Sequence, residues 1–213
     1  LGQPGVIAIC GTGSMLLMLD EKGRQHVAGG WGYLLSDAGS GYTLAREGLL
    51  AVIDAVEGTG PETLLAADAL QFFGADTPRG LINRVYAPEA TTAWLAGFAK
   101  HVLARAREGD TAALEILSRN MRRLAGSAAQ LIRRAPEAGR VGLYGGVFCH
   151  SDMARDLFEK ELHRLAPEAR ICAVDYPPEL GALIHLFRKR KALTGEVLAQ
   201  MKSSYQEHCD ERD

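Results

Sequence analysis

Cysteine is scarce in this sequence, and the few cysteines are scattered. The 213 residues include four, Cys10, Cys149, Cys172 and Cys209, and no two of them form a CxxC pair. Zinc sites and disulfide frameworks need clustered or regularly spaced cysteines, so the sequence disfavours both. The six histidines show no ligand spacing such as HxxxH either. We therefore predict no metal site built on these side chains, and a reducing, cytoplasmic location.

Long apolar runs are also missing. No stretch approaches the roughly 20 apolar residues that cross a membrane, and no signal-peptide pattern stands at the start. We therefore predict no contact with membranes. The first residue is Leu1 rather than Met, which is what a fragment of a longer protein would show.

An excess of positive charge is absent as well. The 24 basic and 26 acidic side chains give a net charge of −2, and no basic run is long enough to bind nucleic acid. The densest cluster, Arg188–Lys191, is predicted to form the last turn of a helix, where cations suit the helix dipole. With 47% hydrophobic and 23% charged residues, the chain can bury a core. Its length suits one large domain or one domain with a substantial insert.

The sequence does have an opening rich in glycine, from Ile7 to Tyr42. Three short apolar runs in this opening favour β-strands, and glycine turns separate them. Glycines between strands let the backbone approach a ligand closely, and consecutive N–H groups there can bind an anion. A tight hairpin that needs glycine only for its backbone conformation is the alternative, and the turn alone does not decide between them. The predicted strands are Val6–Cys10, Met15–Leu19 and His26–Ala28, and the first turn is Gly11–Ser14.

The motifs of this opening resemble those of a known family. The sequence ICGTGS ends at Ser14, GGWGYLLSDAGSGY runs from Gly29 to Tyr42, and LYGGV ends at Val147. Together they resemble the second half of N-acetylglucosamine kinases and BadF/BcrA-type ATPases, in the sugar kinase/Hsp70/actin superfamily. The family pattern is GTGS, GGWG, GDEGS and LxGGV in this order, and the match covers about Gly5 to Leu186.

The remaining periodicity predicts helices, then a return to alternating strands and helices. Predicted helices cover 39–56, with Ser36 or Asp37 near its N-cap, and then 62–73, 78–86, 89–108 and 111–135. Predicted strands at 141–144 and 170–174 alternate with helices at 152–165 and 178–190, and a last helix or frayed tail follows from 194. The order is that of a ribonuclease-H-like α/β unit with a helical insert after the third strand. We therefore predict an actin-like ATPase lobe over residues 1–190, with its insert at about 40–135, and a C-terminal helix or tail over 191–213.

The resemblance implies ATP and Mg²⁺ as cofactors. It places the phosphates at the Gly11–Ser14 turn. It places the adenosine at Gly145 and Gly146, which follow the predicted strand 141–144, because α/β sheets bind ligands at the carboxyl ends of their strands. A glycine pair needed for helix packing is the alternative at the second place. The nucleotide-binding candidates are Gly11, Thr12, Gly13, Ser14, Gly145, Gly146 and Cys149.

The resemblance also implies a sugar site. An indole can stack on a pyranose, and a carboxylate can accept hydrogen bonds from two hydroxyls. The alternatives are helix N-capping for Asp37 and ordinary core packing for Trp31. The chain departs from the family at Ala38, where a carboxylate is expected, and at Met15, where a sugar-contacting asparagine is expected. The substrate-binding candidates are Ser14, Met15, Trp31, Gly32 and Asp37.

These features predict an ATP-dependent kinase of N-acetylglucosamine or a related amino sugar, with this chain as its C-terminal lobe. The DGGGT motif and catalytic aspartate of the first lobe have no counterpart here, so we assign no catalytic residue and expect the isolated chain to be inactive. The expected partners are ATP, an amino sugar, the N-terminal lobe in cis or in trans, and a second copy in a homodimer. Two alternatives remain: an ATPase that activates a reductase or dehydratase through an iron–sulfur cluster, and a non-catalytic sensor of a sugar or nucleotide.

Overall fold

A computed structural model describes residues 4–174 and 176–210. Residues 1–3 of the predicted lobe and 211–213 of the predicted tail lie outside the described residues. No helix within the described ranges is long and apolar enough to cross a membrane.

A five-stranded mixed sheet organises the fold, in the order β3-β2-β1-β4-β5. The first three strands are antiparallel neighbours, whereas β4 runs parallel to β1 and β5 parallel to β4. This order and these directions confirm the predicted ribonuclease-H-like unit. The strands are β1 (Gly5–Cys10), β2 (Ser14–Leu19), β3 (Gln25–Gly29), β4 (Arg140–Tyr144) and β5 (Arg170–Cys172).

The register of β1 and β2 explains which face of the sheet is buried. Val6 pairs with Met18 and Ala8 with Leu16, and all four side chains are buried. Side chains at alternate positions share one face of a strand, so this register places these four side chains together on the buried face, while the intervening apolar side chains on the other face are only half-buried.

Six α-helices and one short 3-10 helix (Pro136–Ala138) lie between β3 and β4 and confirm the predicted insert. The longest, α6 (Thr111–Arg134), is capped by Asp110 and packs against the sheet with a broad buried face. The predicted single helix at 89–108 is wrong, because the chain forms two helices that meet at Gly97 and Phe98. The other five helices are α1 (Gly41–Glu57), α2 (Leu65–Phe73), α3 (Gly80–Val85), α4 (Thr92–Ala96) and α5 (Ala99–Arg107).

The segment after β4 carries one helix that the sequence did not predict. This short helix, α7 (Gly146–Cys149), begins directly at the second glycine of the predicted pair. Strand β5 is shorter than predicted and ends at Cys172. The last helices are α8 (Asp152–Leu165), α9 (Pro178–Lys189) and α10 (Gly195–Asp210). Of the cluster Arg188–Lys191 that was predicted to form the last turn, Arg188 and Lys189 do so in α9, whereas Arg190 is the C-cap and Lys191 follows the helix.

Candidate functional site

The glycine turn between β1 and β2 is fixed to the start of α1. The N–H of Gly11 donates to the carbonyl of Gly13 (2.9 Å), which closes the turn. The carbonyls of Gly11 and Thr12 accept from the N–H groups of Gly41 (2.8 Å) and Tyr42 (3.1 Å), the first two residues of α1. In the described part of the chain, the N–H groups of Thr12 and Gly13 donate to no protein acceptor. The turn is therefore rigid, and it presents two amides and one hydroxyl that can bind an anion.

Gly145 brings the end of β4 against the end of β1. Its φ of 102° belongs to a region that side chains rarely adopt, and an added β-carbon would overlap the carbonyl of Cys10. The close packing of two strand ends therefore requires this glycine. At Gly146 the nearest atom to an added β-carbon is 3.8 Å away, on His150, so nothing in the structure requires a glycine there.

A cleft of about 1040 Å³ lies between the glycine turn, the insert and the start of α8. The turn contributes Gly11 and Thr12, and the segment after β4 contributes Gly146 and Cys149. These four predicted nucleotide-binding residues are therefore brought together, whereas Gly13, Ser14 and Gly145 do not line the cleft. The opposite wall is helix α5, with two cationic side chains. The wall residues on α4, α5 and their junction are Ala93, Ala96, Gly97, Ala99, Lys100, Leu103, Ala104 and Arg107.

Asp37 lies against the other side of the same turn. Its side chain is buried, with 7% of the residue exposed, and Oδ1 accepts from the N–H of Gly32 (3.1 Å). A β-carbon added to Gly13 would stand 2.9 Å from Oδ2. Burial raises the pKa of the neighbouring Cys10 thiol, and the charge of Asp37 raises it further. Asp37 thus places a carboxylate within contact distance of the turn.

The N-cap interpretation of Asp37 is wrong. Helix α1 starts two residues later than predicted, and its N-cap is Ser40, whose hydroxyl accepts from the N–H of Thr43 (3.1 Å). Ser36 does not cap the helix either. Because the cap position is filled by another residue, helix capping does not explain the buried carboxylate of Asp37.

The remaining substrate candidates surround the same loop, residues 30–40, which we call the β3–α1 loop. Ser14 is buried, and its hydroxyl donates to the carbonyl of Ala38 (2.8 Å). Its carbonyl accepts from the N–H of Gly30 (3.0 Å), and Met15 packs at the same glycine. Trp31 is 70% exposed, so the interpretation as a core residue is wrong. Ser14 and Met15 therefore shape the loop, while Trp31 is available to a ligand.

Sequence reasoning missed the residues that the insert contributes. Lys100 and Arg107 occupy positions seven apart on α5, a spacing that keeps them on one face. In the sequence they look like ordinary solvent-exposed charges. Only the fold shows that they line the same cleft as the glycine turn. Among the described residues, no group of three or more His, Cys, Asp or Glu side chains is placed to hold a metal ion.

Comparison with known proteins decides the family. Residues 1–184 match the model of the BadF/BadG/BcrA/BcrD ATPase family. The chain belongs to this ATPase family. The predicted family is thereby confirmed.

Two curated relatives of this ATPase-family chain are named as amino-sugar kinases. The N-acetylmuramic acid/N-acetylglucosamine kinase of Clostridium acetobutylicum is 28% identical over 185 residues, which are 85% of this chain and 60% of that protein. The N-acetyl-D-glucosamine kinase of Dictyostelium discoideum is 28% identical over 193 residues, which are 88% of this chain and 60% of that protein. The chain therefore spans about three fifths of the length of these relatives.

Solved structures support the fold. A candidate N-acetylglucosamine kinase from Chromobacterium violaceum superposes with a TM-score of 0.67 at 29% identity, covering 85% of this chain and 59% of that one. A second, from Porphyromonas gingivalis, gives 0.62 at 25% identity with the same coverage. A glucokinase of the ROK family from Streptomyces griseus, solved with glucose and AMPPNP, gives 0.51 at 19% identity over 80% of this chain and 55% of that one. The last likeness shows the fold alone.

Proposed function

We propose that this chain is the nucleotide- and sugar-binding lobe of an ATP-dependent amino-sugar kinase. One observation carries the proposal: consecutive residues of one turn serve two sites. Gly11 and Thr12 line the large cleft, and a β-carbon added to Gly13 would meet the carboxylate of Asp37. Phosphoryl transfer needs a donor and an acceptor held about 3 to 3.5 Å apart and in line. A turn only a few residues long, with a site on each side, keeps the two proposed ligands near each other.

The cleft supplies the nucleotide site. The N–H groups of Thr12, in the cleft wall, and of Gly13, next to it in the turn, donate to no acceptor among the described residues and can bind phosphate oxygens. The Thr12 hydroxyl and the Ser14 segment follow in the same turn. The adenosine would lie toward Gly145, Gly146 and Cys149. Gly145 acts by allowing the close approach of the two strand ends, and the other two by lining the wall. Lys100 and Arg107 add positive charge on the facing wall, where they compensate the charge of a polyphosphate.

The β3–α1 loop supplies the sugar site. The Asp37 carboxylate accepts one hydrogen bond from Gly32 and keeps lone pairs for sugar hydroxyls. The exposed indole of Trp31 offers an apolar face to a pyranose ring. Ser14 and Met15 hold and shape the loop beside them. The amino-sugar kinases among the relatives support an amino sugar as the substrate class.

We assign no general base to the described chain, because Asp37 serves as a binding group here and Asp152 and Asp156 line the cleft proposed for the nucleotide. We infer that the two fifths of the relatives' length beyond this match correspond to a second lobe, which supplies the base. Mg²⁺ is usually held by one or two carboxylates together with substrate phosphates and waters. The nucleotide phosphates at the glycine turn fit that mode, with further carboxylates from the second lobe.

The iron–sulfur alternative has little support in the described residues. Cys10 is buried with a raised thiol pKa, which makes it a poor ligand, and Cys149 belongs to no group of three or more possible metal ligands among the described residues. The sensor alternative shares the binding residues and differs only in the absence of turnover.

The test is a coupled assay of the complete protein with Mg-ATP and N-acetylglucosamine, run beside Asp37→Asn. The substitution preserves the size of the side chain and an acceptor for the Gly32 N–H, but it removes the charge that strengthens bonds to hydroxyls. We expect turnover by the native protein and at least a tenfold weaker apparent sugar affinity in the variant, about 1.4 kcal/mol, with little change in melting temperature. Sugar binding without turnover would support a sensor, and unchanged sugar kinetics in the variant would contradict the Asp37 assignment.

A further inference from the structure

A buried amide connects the insert to the β3–α1 loop. Asn120 lies in the middle of α6 and is fully buried, with 0% of the residue exposed. Its Oδ1 accepts from the N–H of Gly39 (2.9 Å), a residue 81 positions earlier in the chain. Its Nδ2 donates to Glu47 Oε2 (2.7 Å) on α1 and to the carbonyl of Ile116 (3.0 Å) on its own helix.

The chemistry of the partners fixes the orientation of this amide. A carboxylate and a backbone carbonyl can only accept hydrogen bonds, so the NH₂ group of Asn120 must face Glu47 and Ile116. The carbonyl oxygen must then face the N–H of Gly39. Glu47 is itself held by Arg119, whose Nη2 donates to the same Oε2 (2.9 Å). The amide thus has one orientation, and the carboxylate behind it is anchored as well.

A polar side chain at this position has a cost that an apolar one would avoid. The buried neighbours of Asn120 on α6 include Ile116, Leu117, Met121 and Leu124, and a buried amide loses its hydration in such surroundings. Its hydrogen bonds offset that loss, and one of them reaches outside the helical insert. A leucine at this position could pack in the core but could not accept the hydrogen bond from Gly39. The amide therefore contributes a fixed position for the β3–α1 loop.

Gly39 sits two residues after Asp37, and α6 holds it at two consecutive positions. Asn120 bonds its N–H, and Met121 packs so closely that an added β-carbon would stand 3.0 Å from the methyl Cε. The φ of 79° also favours glycine here. The neighbouring carbonyls of Asp37 and Ala38 accept from Thr43 Oγ1 and Ser14 Oγ, both at 2.8 Å.

We propose that Asn120 is a positioning residue for the sugar site: by holding Gly39 it sets the place of the Asp37 carboxylate. It touches neither ligand itself. The inference rests on the proposed function, because it takes Asp37 as the sugar-binding carboxylate. It assigns the insert a role in sugar affinity as well as in the wall of the nucleotide cleft.

The first test replaces the amide by an apolar side chain of similar size, Asn120→Leu, in the complete protein. We expect the dissociation constant for N-acetylglucosamine to rise about tenfold and that for ADP to change less than twofold, both by calorimetry. Hydrogen exchange at the amide of Gly39 should accelerate. Leu131→Val is the matched control, because Leu131 is a buried residue of the same helix that none of the loop contacts involves. It should lower the melting temperature without changing sugar affinity.

A second pair of variants avoids the core, in case Asn120→Leu does not fold. Glu47→Leu removes the acceptor that orients the amide, whereas Glu47→Gln keeps an acceptor and removes only the charge. We expect Glu47→Leu to weaken sugar binding at least threefold. Glu47→Gln should bind the sugar within twofold of the native affinity. Equal effects of the two Glu47 variants would overturn the inference.

The outcomes separate this inference from the proposed function. Faster exchange at Gly39 with unchanged sugar affinity overturns the positioning role and leaves the kinase proposal standing. Slow exchange in Asn120→Leu overturns it too, because the bond would then not hold the loop. A native protein that fails to bind N-acetylglucosamine contradicts the proposed function itself, and the positioning role falls with it.

Discussion

The carboxylate of Asp37 and the backbone of Gly13 leave no room between them for a methyl group. A β-carbon at Gly13 would stand 2.9 Å from Asp37 Oδ2, and Oδ1 is held by the N–H of Gly32. The absence of a side chain at Gly13 therefore lets the carboxylate occupy this position. Two motifs that lie more than 20 residues apart in the sequence pack side by side here.

Gly13→Ala should weaken sugar binding while leaving the fold intact. The methyl group must displace the end of the Asp37 side chain, and we expect at least a tenfold loss of N-acetylglucosamine affinity, about 1.4 kcal/mol, by calorimetry. Gly11→Ala is the matched control, since a β-carbon there meets nothing within 4 Å. It should leave sugar affinity unchanged. Equal sugar affinity in both variants would contradict the contact.

The two glycines after β4 should respond differently to alanine. Gly145→Ala combines a φ of 102° with overlap of the Cys10 carbonyl, and we expect a loss of about 3 kcal/mol in the free energy of unfolding. Gly146→Ala should cost little stability, because its new methyl group has space. Urea denaturation of both variants measures the difference. A stable Gly145→Ala would show that the strand ends can separate at low cost.

The cations on α5 should matter for the nucleotide and not for the sugar. Lys100→Met and Arg107→Met each remove one positive charge from the cleft wall, and we expect about fivefold weaker ADP binding in each, about 1 kcal/mol. The loss should shrink at high salt because screening reduces the contribution of these charges. Arg123→Met, on the exposed face of α6, is the control. An effect of Arg123→Met as large as the other two would point to net charge rather than to the cleft.

An ion pair inside the insert should make its stability depend on pH. Two hydrogen bonds from the Arg105 guanidinium, at 2.7 and 2.8 Å, lower the pKa of Asp68 below its ordinary value. A carboxylate with a lowered folded-state pKa stabilises the fold above its unfolded-state pKa, about 3.9, and that stabilisation is lost as the pH falls through the folded-state pKa.

We therefore expect the melting temperature of the native protein to fall more steeply between pH 5 and about 3 than that of Asp68→Asn. Glu115→Gln is the control, because it removes an ion pair with Arg119 in which the side chains are 73% and 47% exposed, and such pairs contribute little. Parallel melting curves of the native protein and Asp68→Asn over this pH range would refute the role of the pair.

Local patterns of apolar and polar residues predicted much of the fold. The strands and the helical insert follow from alternation and from three- and four-residue spacing, because burial of one face imposes those periods. The break at Gly97 was missed, since buried or half-buried apolar side chains continue across it from Leu95 through Phe98 to Val102. The N-cap was misplaced because several Ser and Asp residues precede α1, and only the left-handed backbone of Gly39 decides where the helix begins.

The candidate site could be predicted from the sequence only where its residues are close together in one segment. The glycine turn and the β3–α1 loop stand out because their glycines and hydroxyls are adjacent in the sequence. Lys100 and Arg107 did not stand out, and neither did Asn120, which looks like an interruption of an apolar stripe. Periodicity shows which face of a helix is buried, but not which loop packs against it.

The parallel pairing of β1 with β4 has a consequence for the order of folding. The hairpins of β1, β2 and β3 close locally, but Val6 meets Val141 only across the whole helical insert. Long-range pairing costs loop-closure entropy before its contacts form, so it is slow compared with local hairpins. Gly11, which follows β1, and Gly146, which follows β4, both line the cleft, so the cleft needs this pairing. In refolding experiments, we expect ADP binding to return no sooner than the helical signal of the insert, and earlier binding would show that the turn is competent alone.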